Sequence, residues 1–388
     1  MDRDLLSGGR WLRRWLFALA VVLLGVACGG GVGTGGTGAF ASGPITGFGS
    51  IIVNDIHFDE SSARVDDDTG STRDRSELHL GTIVEVQSGE VRDGAATASQ
   101  VRMVSALIGT VQSVTPGTLV VNGQTVTLTA STVLDDRFVG GVTAITVGRV
   151  IEVYGFVSQG GAVIMATRIE PKDGAPWFKF RGVVTALDTQ ARTFDIGTQH
   201  FTYAGLVSGS SDLSNGALVR VVVTTQPDAQ GRWVVISVSK ASPAGGDRDE
   251  AKINGFIGSF TSNASFTVDA YTVDASAAQI QGGPLAVGQH VNVEGSLRDG
   301  VLIATVVQVL GPSQQEEFEM RGPISAIDTV AKTFRVGGRS ELVSYAGPSV
   351  EYENGTVADL ALGQRVLVTG LLSSDGTQVD ATHIRFDN

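Results

Sequence analysis

One short pattern recurs five times along this chain. A leucine or isoleucine, two spacers and a glycine lead into a run with apolar residues three and five positions beyond the glycine. The copies run from Leu78 through Gly81 to Val84 and Val86, and from Ile145 through Gly148 to Ile151 and Val153. They continue as Leu213–Gly216–Val219–Val221, Leu285–Gly288–Val291–Val293 and Leu360–Gly363–Val366–Val368. A second glycine opens each unit, at Gly43, Gly109, Gly182, Gly255 and Gly322, with spacings of 66 to 73 residues. Such a repeat excludes one large domain. It dictates small modules, each near the lower size limit for a self-sufficient core.

Within each unit the order of signals is constant. A glycine-marked strand is followed by a second strand, seen as Ile51-Ile52-Val53, Leu119-Val120-Val121, Phe194-Asp195-Ile196, Phe266-Thr267-Val268 and Phe334-Arg335-Val336. The last three alternate, so each has one face for a core and one for water. Asn122-Gly123 and Gly337-Gly338 are hairpin signals before a third strand. A loop or single helical turn then ends in the repeated signature, whose Val-x-Val run is the fourth strand. Turns such as Asp93-Gly94 and Asp299-Gly300 return the chain as a fifth. Five short strands, each with one apolar face, cannot hide that face in an open sheet, whereas closure into a barrel buries it and removes edges. The expected fold is therefore all-β: five tandem, small five-stranded barrels similar to the OB-fold. A small β-sandwich module is the alternative.

The N-terminus reads as an export signal. Arg3, Arg10, Arg13 and Arg14 precede an apolar run from Trp15 to Val26, too short for an ordinary membrane span but suited to a signal-peptide core. Its end, Leu24-Gly25-Val26-Ala27-Cys28-Gly29, resembles the lipobox of bacterial lipoproteins, with Gly25 departing from the usual leucine. That resemblance implies cleavage after Ala27 and lipidation of Cys28, the only cysteine in the chain. A diacylated cysteine carries enough acyl chain for stable anchoring. Gly29 in place of aspartate favours, by the same resemblance, the outer membrane. An uncleaved anchor and an ordinary signal peptide are the competing readings.

The expected organisation is a signal peptide over 1–27, a Gly-rich tether over 28–42, and barrel units over 43–105, 106–171, 178–240, 251–310 and 318–388. Pro171–Pro176, Ala241–Glu250 and Gly311–Glu317 read as linkers. Units one and two have none, so they are expected to pack as a rigid pair while the later joints bend.

Little in the sequence carries chemistry. With 28 Lys+Arg against 40 Asp+Glu, the net charge of −12 is the wrong sign for nucleic acid. His57, His79, His200, His290 and His383 show no zinc spacing and read as strand-surface or edge residues. Asp66-Asp67-Asp68-Thr69-Gly70 fails the calcium-loop pattern and reads as a solvated turn. Phe194, Phe201 and Tyr203 are the candidate stacking aromatics of unit three, with Phe194 assigned to the core by its alternation. No nucleophile–base set, phosphate loop or dinucleotide fingerprint is present.

The opening motif Gly43-Pro44-Ile45-Thr46-Gly47-Phe48-Gly49-Ser50-Ile51-Ile52-Val53-Asn54, then Phe58-Asp59 and Ser61-Ser62-Ala63, follows the Gly-rich stretch. Together with the five signatures it resembles bacterial envelope lipoproteins built from repeats of domain of unknown function 5666. The resemblance implies OB-like modules and an envelope location, and it carries no catalytic or ligand residue. The expected function is a non-enzymatic, lipid-anchored envelope protein acting as a modular structural or interaction protein. It would take no cofactor, reach the membrane through Cys28, and serve an envelope protein partner. The alternative is a periplasmic or outer-membrane protein that binds a small ligand or glycan on its barrel faces.

Overall fold

The computed structural model describes residues 38–387, except 159–160, 207–208, 242–245, 270 and 312–315. The expected signal peptide, with Ala27 and Cys28, lies outside the described residues.

Among the described residues, thirty strands close into small barrels. The first uses β1 (Ala39–Pro44), β2 (Gly47–Phe48), β3 (Ile51–Val53), β4 (Ile56–Asp59), β5 (Arg64–Asp67), β6 (Ile83–Ser88) and β7 (Ala95–Met103). The second uses β8 (Leu107–Thr115), β9 (Thr118–Val121), β10 (Gln124–Thr127), β11 (Val133–Leu134), β12 (Val150–Ser158) and β13 (Val163–Pro171). The third uses β14 (Phe178–Asp188), β15 (Thr193–Ile196), β16 (Gln199–Thr202), β17 (Leu218–Val223) and β18 (Trp233–Lys240). The fourth uses β19 (Arg248–Ser262), β20 (Ser265–Val268), β21 (Tyr271–Asp274), β22 (Gln279–Gln281), β23 (His290–Arg298) and β24 (Val301–Val309). The fifth uses β25 (Glu317–Asp328), β26 (Thr333–Val336), β27 (Leu342–Ser344), β28 (Glu351–Glu353), β29 (Arg365–Leu372) and β30 (Gln378–Phe386).

The third barrel shows the common circuit. The first half of β14 pairs with β17, its second half with β15, and β15 pairs with β16. β16 then runs parallel to β18, which pairs antiparallel with β17 and closes the ring. Each of the other barrels repeats this order, as β19, β20, β21, β24 and β23 do in the fourth.

The repeated residues make the closure. The leucine-like position is buried in every copy, and the two apolar residues after the glycine are fully buried. The signature glycines all hold positive φ, from 77° to 89°, a conformation that side chains resist. Each donates its N–H to the carbonyl two residues past the opening glycine of its unit: Gly81 to Ile45, Gly148 to Val111, Gly216 to Val184, Gly288 to Ile257 and Gly363 to Ile324. That carbonyl lies at the pivot where the first strand changes partners. The repeat thus records one turn and the strand bend that it clamps.

The barrels do not form a string with bending joints. β1 lies antiparallel to β6 in its own barrel and parallel to β19 of the fourth, and β2 runs parallel to β25 of the fifth. β14 pairs with β8 across barrels two and three. Cores are shared accordingly: one joins barrels one and five, one joins two and three, and the fourth takes in Phe40 from β1. Residues 39–42 are therefore strand rather than tether. Ala39, Phe40 and Ala41 are buried because both edges of β1 are paired and Phe40 packs 5.7 Å from the Tyr271 ring. Likewise Arg248–Glu250, expected as linker, begin β19. Barrels one and two do pack together, through Thr167 Oγ1 donating to the Gly81 carbonyl at 2.6 Å and Ser105 to Glu152 at 2.6 Å. The fourth and fifth barrels dock on the first just as closely.

Candidate functional site

Where barrels one, two, four and five meet, their packing leaves a cleft of about 730 Å³. Barrel one contributes Pro44, Thr46 and Gly81. Barrel two contributes the turn Thr129-Ala130-Ser131 together with Phe156 and Met165 to Thr167. Barrel four supplies Asn254, Phe256, Gly282 to Pro284, Gly288 to His290 and Val309 to Gly311, and Glu316 and Phe318 lead into barrel five. The volume falls in the range of small-molecule sites, and junctions between modules are where such sites form.

Interbarrel bonds hold the walls. Asn54 Nδ2 donates to the Ser42 carbonyl at 3.0 Å and to the Lys252 carbonyl at 2.9 Å, tying barrel one to barrel four. The Glu316 N–H donates to Ser131 Oγ at 3.0 Å, and the Leu134 N–H to the Gly376 carbonyl at 2.7 Å, tying five to two. Arg168, buried against Asp135 at 2.9 Å, also reaches the Leu80 carbonyl.

Inside the cleft, His290 lies flat on Phe256, with centroids 4.7 Å apart and planes 6° from parallel, and Phe156 tilts against both. Its Nε2 meets Asn254 Oδ1 at 2.7 Å, while Asn254 Nδ2 donates to Asn292 Oδ1 at 2.6 Å. Because Asn254 spends its amide on Asn292, its oxygen faces the ring, so His290 carries its proton on Nε2. Burial pushes the imidazole down to about 4, so it is neutral at pH 7. Glu316 is open to the cleft yet surrounded by protein. Burial first, then the Asp55 charge, hold its carboxyl above the usual range. Two of the lining hydroxyls donate to backbone carbonyls, Thr167 to Gly81 and Thr46 to Ile52, while Ser131 Oγ accepts from the Glu316 N–H.

A second polar region lies between barrels one, three and four, and is structural. Lys179, 2 % exposed, pairs with Asp68 at 2.8 Å, and Arg181 pairs with Asp269 at 3.1 Å. Tyr271 Oη donates to Glu85 at 3.1 Å, and burial raises the Glu85 carboxyl despite Arg181 and Arg102.

The sequence readings fare unevenly against this geometry. Asp66, Asp67 and Asp68 are not a solvated turn. Asp66 accepts from Gln100, Asp67 accepts from Thr69 and Ser71 and pairs with Arg73, and Asp68 meets Lys179. Asp66 and Asp67 sit in β5 with partners from barrel one, and only Asp68 is met from barrel three. Phe194 is core, stacked on Phe201 at 5.1 Å, and Tyr203 is buried beside it, so unit three offers no stacking platform there. His200 is exposed, bonded to Asp195 at 2.7 Å, as a strand-surface residue should be. His290 departs from that expectation. It heads β23 as Ile83, Val150, Leu218 and Arg365 head theirs, and that drift was its one sequence signal. The cleft draws on four units, so no single repeat displays it.

Residues 108–170, 254–308 and 321–385 match the family model for a domain of unknown function, DUF5666. These segments fall on the second, fourth and fifth barrels, and the first and third close in the same strand order. A comparison with curated proteins found no match. A solved structure described as drosophila Unr CSD456 aligns with 54% of this chain and 97% of that one, at 13% identity and a TM-score of 0.14, a likeness too weak to carry an argument.

Proposed function

We propose that this chain, built from tandem DUF5666 domains, is a non-enzymatic cell-envelope lipoprotein that binds a small molecule in the cleft between its barrels. The observation that carries the reading is the cleft itself: about 730 Å³, walled by four barrels and lined by aromatic rings with a few oriented polar groups. The lipobox-like Ala27-Cys28 supports anchoring through lipidated Cys28 on the periplasmic or surface face of the outer membrane. A non-enzymatic role is supported by the chemistry of the lining. Its histidine is neutral and bonded to an asparagine, and among the described residues it is not hydrogen-bonded to a lining hydroxyl that it could activate. The OB-like reading of each barrel is supported by its strand order, one to two to three to five to four and back to one.

A second reading, a structural or interaction protein for an envelope partner, is supported by the barrel faces pointing away from the cleft, whose polar positions drift between copies. Native mass spectrometry of protein extracted from its own membranes separates the two. The ligand-binding reading expects a reproducible small-molecule adduct that Ala130→Trp, which fills the cleft from an exposed turn residue, removes. Protein with no adduct, together with a crosslinked envelope protein, favours the interaction role. The same preparation tests the anchor: Cys28→Ser should leave the protein unlipidated and move it out of the membrane fraction after leader removal.

A further inference from the structure

We infer that the cleft takes a small organic cation, an amine whose ammonium group meets Glu316 and whose apolar body lies against the Phe156, Phe256 and Phe318 wall. The inference rests on the ligand-binding reading and names the ligand's class.

The charge balance of the lining points this way. Among the described residues that line the cleft, Glu316 bears the one formal charge, and no lysine or arginine is present. Glu316 forms no ion pair with a described lysine, arginine or histidine, and Asp55 adds to the negative field around it. Among the described residues the buried carboxylates are matched, Asp68 by Lys179, Asp269 by Arg181, Asp135 by Arg168 and Glu152 by Lys172, whereas Glu316 is exposed at the cleft and unpaired. An unpaired carboxylate on the wall of a cleft with no other formal charge attracts a cation and repels an anion.

The other groups fit the same ligand. Phenyl rings accept an apolar body and attract positive charge over their faces. With Nε2–H bound to Asn254 Oδ1, His290 has only Nδ1 left, and a neutral imidazole nitrogen without a proton accepts a hydrogen bond. The cleft therefore presents a negative charge and the His290 acceptor beside the neutral Ser131 and Gln289 side chains, which suits a cationic N–H donor. A carboxylate or phosphate ligand would find no cationic partner there.

The test is calorimetric titration of the full chain in lipid nanodiscs with three probes that share a phenyl-alkyl body: 2-phenylethylammonium, 2-phenylethanol and 3-phenylpropanoate. The ammonium should bind at least tenfold tighter than the alcohol, and the carboxylate should not bind. Glu316→Gln should lower ammonium affinity to that of the alcohol and leave the alcohol unchanged. Ala130→Trp should abolish binding of both, which places them in the cleft, with melting temperatures confirming that both variants fold. Equal binding of alcohol and ammonium, or any binding of the carboxylate, overturns the cation assignment while cleft binding stands. Silence from all three probes overturns both.

Discussion

At the scale of single residues, two positions show how far a side chain's meaning depends on its surroundings. Gly363 has φ +83°, and a Cβ there would meet nothing within 4 Å, so its requirement is purely conformational. Gly363→Ala should cost about 1–2 kcal/mol by urea denaturation, the penalty of a left-handed alanine. An unchanged midpoint would show that the repeated glycine is not needed for its φ. His290 behaves in the opposite way, since its environment and not its backbone sets its state. Its folded pKa of about 4 lies below the ordinary 6.5, so between those values the unfolded chain binds the proton and the folded one does not. Stability is thus fully present above about pH 6.5 and falls as pH drops toward 4, by up to about 3 kcal/mol. His290→Leu, the residue type that barrel three has at the same place, should flatten that part of the stability–pH curve. A curve with the same slope would assign the effect to other groups. The glycine's role was legible in the sequence because it recurs. That of the histidine was hardly legible, because drift at its position was the only local signal, and the Phe156 ring packed on it comes from another barrel.

At the scale of elements, β1 is the instructive case. The run Gly38-Ala39-Phe40-Ala41-Ser42 looks like the end of a flexible Gly-rich stretch, because small residues dominate and the alternation is too short to register as a strand. In the fold it is paired on both edges, to β6 and to β19, and small residues suit a strand sandwiched between two barrels. Phe40 is its one large side chain, and it belongs to the core of the fourth barrel. Phe40→Ala should therefore destabilise by about 3–5 kcal/mol. Hydrogen exchange should show the loss of protection in β21, more than two hundred residues away in sequence, rather than in β2 to β5. Loss confined to barrel one would overturn this placement. The regular strands were far more legible, since the Val-x-Val runs and the alternating second strands state their own period.

At the scale of the whole molecule, the barrels fold back around the first instead of extending as an arm. A single compact body of some 350 residues has a radius of gyration near about 20 Å, and solution scattering of the protein should approach that value once the N-terminal segment is allowed for. A rod-like profile would contradict the interbarrel strand pairing. The buried ion pairs between barrels one, three and four suit this arrangement, because each charge is matched by a partner on another barrel. The sequence by itself determined the all-β class, the small closed module and the residues that close it, since these depend on local turns and on strand period, which repetition makes visible. Only the tertiary structure decided how barrels share strands and cores, which aspartates are buried, and that a cleft exists at all. Those features arise from contacts between units that diverge in sequence, where a side chain's burial and protonation are set by neighbours far along the chain.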